Sequence, residues 1–225
     1  MLISNQKNFI FIHIPKTAGT SIAKKLRPYA NPRTMTPWRA IRRALPIGGA
    51  VNPQRAWFEM HDTAEFVRKK LSAEVYDHYF RFAFVRSPYT HAYSHYHFLK
   101  TYAYKKYANI VNQQTFEAYL EWRLKSNQKA FRTRVQRFAL LADQTSFIYD
   151  QQGECLVNYI GRFEHIQQDC EQLAQQLDIP DLKLEHHRKG TYKRSLTPSE
   201  LSQAERDLIH ELYKRDFENF QYPKQ

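Results

Sequence analysis

The sequence predicts an α/β fold, with a mostly parallel central sheet in three layers and helices on both faces. Three observations carry that expectation. Apolar runs rich in β-branched and aromatic residues occupy positions 8–14 and 80–85, and runs without polar alternation suit strands buried on both faces. Strand-like runs alternate with segments of helical spacing, the order that builds parallel sheets. Both runs end abruptly on polar and basic residues, in the place where open parallel sheets hold their ligands.

In chain order, the first strand covers 8–14 and the first helix 20–27. Residues 28–53 carry Pro32, Pro37, Pro46, Gly48 and Gly49 and read as a surface excursion, with Arg39, Arg42 and Arg43 on a short helical turn or a solvated face. Ala56-Trp57-Phe58-Glu59-Met60-His61 reads as the second strand. Asp62 or Thr63 then caps a helix through Leu71, with Glu65 in its first turn. A helical stretch over 74–79 leads into the third strand at 80–85, and Pro88 opens a helix through the aromatic-rich segment 89–104. Two helices broken near Ser126 and Asn127 fill 115–141. Residues 147–160 read as strand, turn and strand around Gly153, and 166–177 as an amphipathic helix ended by Asp178, Ile179 and Pro180. A basic loop over 186–194 precedes a last helix, which has Thr197 as N-cap, Pro198 at its first position and Glu200 completing a capping box, and which runs to about Phe217. No internal repeat or linker divides the chain, so one domain over 1–225 is expected.

Lysine and arginine outnumber the acids 34 to 22, a formal net charge of +12 with a pI near 9.6, so an anionic partner is expected. Composition alone leaves nucleic acid, anionic lipid, a nucleotide and an acidic polysaccharide open. Cys155 and Cys170 stand in no metal or redox spacing, which fits reduced thiols in a soluble, cytoplasmic chain. No segment has the length of a membrane span, and the run at 9–14 is too short for a signal peptide.

The chemistry concentrates after the first and third strands. Pro15-Lys16-Thr17-Ala18-Gly19-Thr20-Ser21 joins a strand to a helix start, where unpaired N–H groups and the helix dipole favour an anion. Lys16 adds a cation, and Thr17, Thr20 and Ser21 add hydroxyl donors. The loop is P-loop-like, yet its Lys precedes the Gly by three positions instead of following it. A nucleotide kinase also places a metal-holding carboxylate at the end of a neighbouring strand, and here that strand ends on Arg86. Phosphate binding without a metal is the expectation. Ser87, Thr90 and Ser94 fall at i, i+3 and i+7 on one helix face, and Arg86 suits bidentate contact with a second phosphate. The topology expected here collects Lys16–Ser21, His61 and Arg86 around one crevice, with Glu59 and Asp62 as substitutes for His61. His91 and His95 have metal-compatible spacing but no supporting carboxylate or Cys pattern.

These residues resemble PAPS-dependent sulfotransferases, in the branch that includes carbohydrate O-sulfotransferases. Phe11-Ile12-His13-Ile14-Pro15-Lys16-Thr17-Ala18-Gly19-Thr20-Ser21 is similar to that family's 5′-phosphosulfate loop. Phe84-Val85-Arg86-Ser87-Pro88-Tyr89 through Ser94-His95-Tyr96 is similar to its 3′-phosphate motif, with Arg86 and Ser94 as the contacts. Arg162-Phe163-Glu164 and Tyr213-Lys214-Arg215-Asp216-Phe217 to Tyr222 also resemble that branch. The resemblance implies a P-loop-like three-layer fold, 3′-phosphoadenosine 5′-phosphosulfate (PAPS) as donor, and a hydroxyl acceptor tilted towards saccharide. It also implies that Lys16 steadies the leaving phosphate and that His61 is the general base. His186-His187-Arg188-Lys189-Gly190-Thr191-Tyr192 resembles a loop that closes over the 3′-phosphate in cytosolic members, which puts Arg188, Lys189 and Thr191 among the donor contacts. Two rivals stay open, a Mg²⁺-dependent nucleotide kinase or NTPase and a non-catalytic basic nucleic-acid-binding protein. No helix-turn-helix, zinc or RNA-recognition signature appears, so nucleic acid is not an expected partner.

Overall fold

Phe9–Ile12 has all four side chains buried and forms the strand β2. In the computed structural model, which describes residues 1–32, 52–54, 56–101, 111–112, 114–127, 143–180, 182–184 and 197–225, this strand lies inside a sheet ordered β1-β2-β3-β4. Strand β1 is Leu2–Ser4, β3 is Phe80–Val85 and β4 is Tyr159–Arg162. β2 and β3 run parallel with Phe9 opposite Phe80, and β3 and β4 run parallel with Phe82 opposite Tyr159. β1 pairs antiparallel with β2 at the edge, Leu2 opposite Phe11. The sheet is therefore mostly parallel and flanked by helices, an α/β arrangement.

The described chain divides into two compact units, Met1–Val85 with Ser146–His187, and Arg86–Thr145 with Arg188–Gln225. The first holds the sheet. On one sheet face, Leu2, Phe9, Phe11, Phe82 and Phe84 pack with Ile22 and Leu26 of helix α1 (Gly19–Leu26) and with Cys170, Leu173 and Ala174 of helix α7 (Ile166–Gln176). Each such side chain contributes roughly 1.5–3 kcal/mol on burial, so this face fixes where α1 starts relative to β2. Helices α2 (Ala64–Leu71) and α3 (Ala73–His78) complete the unit. Thr63 caps α2, its side chain accepting the Phe66 N–H at 3.2 Å.

The second unit contains α4 (Pro88–Thr101), α5 (Phe116–Asn127), α8 (Gln203–Leu212) and α9 (Lys214–Phe220). Pro88 stands first in α4, as its fixed φ favours. The short helix α6 (Thr145–Ile148) holds one of the boundaries between the units, the one at Thr145 and Ser146.

Four expectations need correction. Ala56–His61 is not a strand. Asp62 Oδ2 accepts the Glu59 N–H at 2.7 Å, and the chain turns there, a side-chain bond that competes with any ladder. Residues 147–153 do not open as a strand, because Thr145–Ile148 is helical and its first N–H is held by the Asp216 carboxylate at 2.8 Å. An isolated bridge between Tyr149 and Cys155 then closes the expected turn, and the strand that follows is Tyr159–Arg162. The last helix is divided. The capping box of Thr197 and Glu200 is present but opens only the 3₁₀ turn Pro198–Glu200, Ser202 and Glu205 form a second capping box that starts α8, and Tyr213 leaves helical geometry between α8 and α9. Finally, β1 joins the sheet although nothing was expected of residues 1–7. The expected helical parts at 102–104 and 128–141, and the arginines at 39, 42 and 43, lie outside the described residues.

Candidate active site

The loop between β2 and α1 is built on two left-handed residues. Lys16 has φ 66°, and Ala18, the N-cap of α1, has φ 63°. Such a conformation costs a non-glycine residue roughly 1–2 kcal/mol. It coils the chain so that Ser21 and Ile22 donate to Ala18 O at 2.9 and 3.2 Å. The N–H groups of Gly19 and Thr20 belong to the first turn, ahead of any i−4 carbonyl and at the positive end of the dipole. Thr20 is exposed, and Lys16 and Ser21 are half-buried. Thr17 is 1 % exposed, and its Oγ1 donates to Ile14 O at 3.0 Å. The proton of that hydroxyl closes the turn, so what Thr17 presents to an anion is its backbone N–H.

Gly19 answers to a neighbour. A Cβ there would stand 2.0 Å from Cδ2 and 2.3 Å from Nε2 of His13. His13 follows β2, is 3 % exposed, and stacks on Phe11 with 5.7 Å between ring centroids. Only a residue without a side chain lets the helix start so close to this imidazole.

His61 reaches the same place from the turn at Glu59–Asp62. Its Nδ1 lies 2.8 Å from His13 O, and the two rings meet edge-on at 4.6 Å. A carbonyl only accepts, so Nδ1 of the neutral ring carries the proton and Nε2 is the basic nitrogen. His61, His13 and the Lys16–Ser21 loop are thus brought together within one unit.

In the other unit, Arg86 directly follows β3. Its Nε donates to Thr90 Oγ1 at 2.9 Å, one turn into α4. Thr90 in turn donates to Ser87 O at 3.3 Å, which orients the guanidinium against the start of the helix. Ser94 lies on α4 and is 3 % exposed. The Arg86 backbone is held by Gln144, whose Oε1 accepts its N–H at 2.8 Å and whose Nε2 donates to its carbonyl at 2.8 Å. Gln144 and Thr145 together direct hydrogen bonds onto the fully buried Asp216 carboxylate. Burial pushes that carboxyl up from 3.8 to about 6, with Asp143 adding to the rise and the Gln144 and Thr145 donors opposing it. Arg215 Nε and Nη2 pair with Asp143 in bidentate fashion, both at 2.7 Å.

Sequence reasoning passed over His13, Gln144 and the role of Asp216. A histidine interrupting a buried apolar run was a legible signal for the first. Gln144 sits among unremarkable polar residues and carried none. The metal-spaced pair faces tyrosines instead, with His91 Nδ1 3.1 Å from Tyr213 Oη and His95 Nδ1 2.6 Å from Tyr119 Oη. No group of His, Cys, Asp and Glu among the described residues has the arrangement to hold a metal ion. Arg188, Lys189 and Thr191 lie outside the described residues.

Among the described residues, no helix is long and apolar enough to cross a membrane. No curated protein and no solved structure matches the chain. The model of the sulfotransferase family matches residues 1–223.

Proposed function

The chain belongs to the sulfotransferase family, and we propose from that premise that it moves a sulfuryl group from PAPS to an acceptor hydroxyl on a saccharide. The observation that carries this reading is the meeting of His61 with the anion-binding loop through His13: a base oriented by a carbonyl, beside a helix start that only glycine can form. In the reaction, the bond between sulfur and the donor's bridging phosphate oxygen breaks, and a bond from sulfur to the acceptor oxygen forms. The acceptor proton passes to His61 Nε2, and adenosine 3′,5′-bisphosphate leaves with the bridging electron pair. His61 fits the proton transfer because its Nδ1 is committed to His13 O. Asp62 fits it less well, since one of its oxygens holds the turn at Glu59.

Lys16 and the N–H groups of Thr17, Ala18, Gly19, Thr20 and Ser21 are assigned to the 5′-phosphosulfate, where preorganised donors stabilise charge developing on the leaving oxygen. Arg86 and Ser94 are assigned to the 3′-phosphate. Arg188, Lys189 and Thr191 join them on the strength of the family resemblance alone. No metal is assigned a role, and one catalytic domain over 1–225 is the proposed unit. Cys155 and Cys170 are free thiols, which supports a cytoplasmic setting.

The test is PAPS turnover with a panel of acceptors: neutral and acidic saccharides, a glycolipid, a tyrosyl peptide and small hydroxyl metabolites. Formation of adenosine 3′,5′-bisphosphate with a saccharide supports the reading in full. Turnover with another member alone refutes the acceptor, and no turnover with any member refutes the activity.

A further inference from the structure

We infer that Gln144 and Asp216 are positioning residues for the donor's 3′-phosphate, acting through the backbone of Arg86. This rests on the assignment of Arg86 made above.

Gln144 is fully buried and pairs with Arg86 as a neighbouring strand would, taking its N–H on Oε1 and giving Nε2 to its carbonyl, both at 2.8 Å. The orientation of the amide is dictated, since an N–H requires the oxygen and a carbonyl requires the nitrogen. The second proton of Nε2 goes to Asp216 Oδ2 at 3.0 Å, and the Gln144 backbone N–H reaches the same oxygen at 2.9 Å. Asp216 Oδ1 takes the Thr145 N–H at 2.8 Å and the Thr145 hydroxyl at 2.7 Å. Both protons of the Gln144 amide are thereby spent. Asp216 itself is 0 % exposed.

The arrangement is more exacting than burial requires. A leucine would fill the volume of Gln144 but leave the Arg86 N–H and carbonyl unanswered. A fixed backbone at Arg86 matters because the guanidinium is fastened only one turn away, to Thr90, so a shift at residue 86 moves the whole fork. Planar, bidentate recognition of a phosphate tolerates little such movement. Asp216 lies 72 residues beyond Gln144, so the end of the chain sets the geometry of a residue directly after β3.

The test compares adenosine 3′,5′-bisphosphate with adenosine 5′-monophosphate by calorimetry, because the ratio of the two affinities isolates the 3′-phosphate. Gln144→Glu is nearly isosteric, yet it removes both amide protons and sets a carboxylate against Asp216 and the Arg86 carbonyl. It is expected to lose about tenfold in affinity for the bisphosphate while the monophosphate changes less than about twofold. Thr145→Val, which keeps the Gln144 amide and deletes one donor to Asp216, is expected to lose about threefold in the same ratio, and it decides the matter if Gln144→Glu does not fold. An unchanged ratio in a folded variant, or equal losses for both nucleotides, overturns the inference. Arg86→Ala separates the two levels. If it leaves the ratio intact, the donor-site reading fails and this inference falls with it. If it abolishes the ratio while the Gln144 and Thr145 variants keep it, only the positioning role is overturned.

Discussion

His61 and His13 are joined twice, by a hydrogen bond from Nδ1 of the first to the carbonyl of the second at 2.8 Å and by an edge-on ring contact at 4.6 Å. The bond selects the tautomer that leaves Nε2 basic, and the contact places that ring beside the loop of Lys16. His61→Ala is therefore expected to lower turnover of PAPS by about 10²–10⁴-fold while nucleotide affinity stays within about twofold. Asp62→Asn is expected to spare most of the turnover, since the Asp62 carboxylate holds the turn at Glu59, and to weaken that turn by about 1 kcal/mol. Steady-state rates and calorimetry on both variants check this. Full activity in His61→Ala would transfer the proton to Asp62 or Glu59.

Gly19→Ala is expected to destabilise the protein by roughly 1–3 kcal/mol, the usual range for forcing atoms into a filled site. The intruding Cβ would meet the His13 ring at 2.0 Å, and moving that ring also disturbs the contact with His61. Urea denaturation measures the loss of stability, and adenosine 3′,5′-bisphosphate affinity is expected to fall with it. A neutral Gly19→Ala would mean that His13 has somewhere else to go.

Two alanines five residues apart give opposite expectations. Ala18 is left-handed at φ 63°, so Ala18→Gly relieves backbone strain and leaves stability unchanged or raised by up to about 1 kcal/mol. Ala23 lies inside α1, where Ala23→Gly is expected to cost about 0.5–1 kcal/mol. Thermal unfolding of the pair checks both. Equal losses would argue against a strained loop.

Asp216 ties stability to pH. Burial, reinforced by Asp143, raises its carboxyl from 3.8 to about 6 in the folded protein. Between those values the folded state holds the proton more tightly than the unfolded one. Its stabilising contribution is thus complete below about 3.8 and is lost as pH rises through about 6. Against Asp216→Asn, which cannot titrate, wild type is expected to gain of order 1–3 kcal/mol of unfolding free energy between pH 7 and pH 4. Urea denaturation at four pH values reads this difference. A constant difference across the series would show that Asp216 is not shifted.

What the sequence disclosed follows how local each signal is. The strand Phe80–Val85, the helix cap, read as Asp62 or Thr63 and found at Thr63, and the helix opening at Pro88 are written in consecutive residues, and all were legible. The Lys16–Ser21 segment was legible for the same reason, down to its place where the chain after β2 enters α1. Ala56–His61 misled because its composition suits a strand, while the decisive bond, from Glu59 N–H to Asp62, is a detail of one side chain. Leu2–Ser4 is short and makes sense only once paired with Phe9–Phe11. Gln144 and Asp216 lie far apart in sequence from each other and from Arg86. No local pattern announces a side chain that pairs with a distant backbone.

The most direct measurement is calorimetric titration of the full chain with adenosine 3′,5′-bisphosphate in the presence of EDTA. One-to-one binding is expected for wild type, weakened by about tenfold or more in Lys16→Ala and, separately, in Arg86→Ala. Absence of binding by wild type, or binding restored only by Mg²⁺ and exceeded by ATP, would contradict the assignment of these residues to a sulfuryl donor.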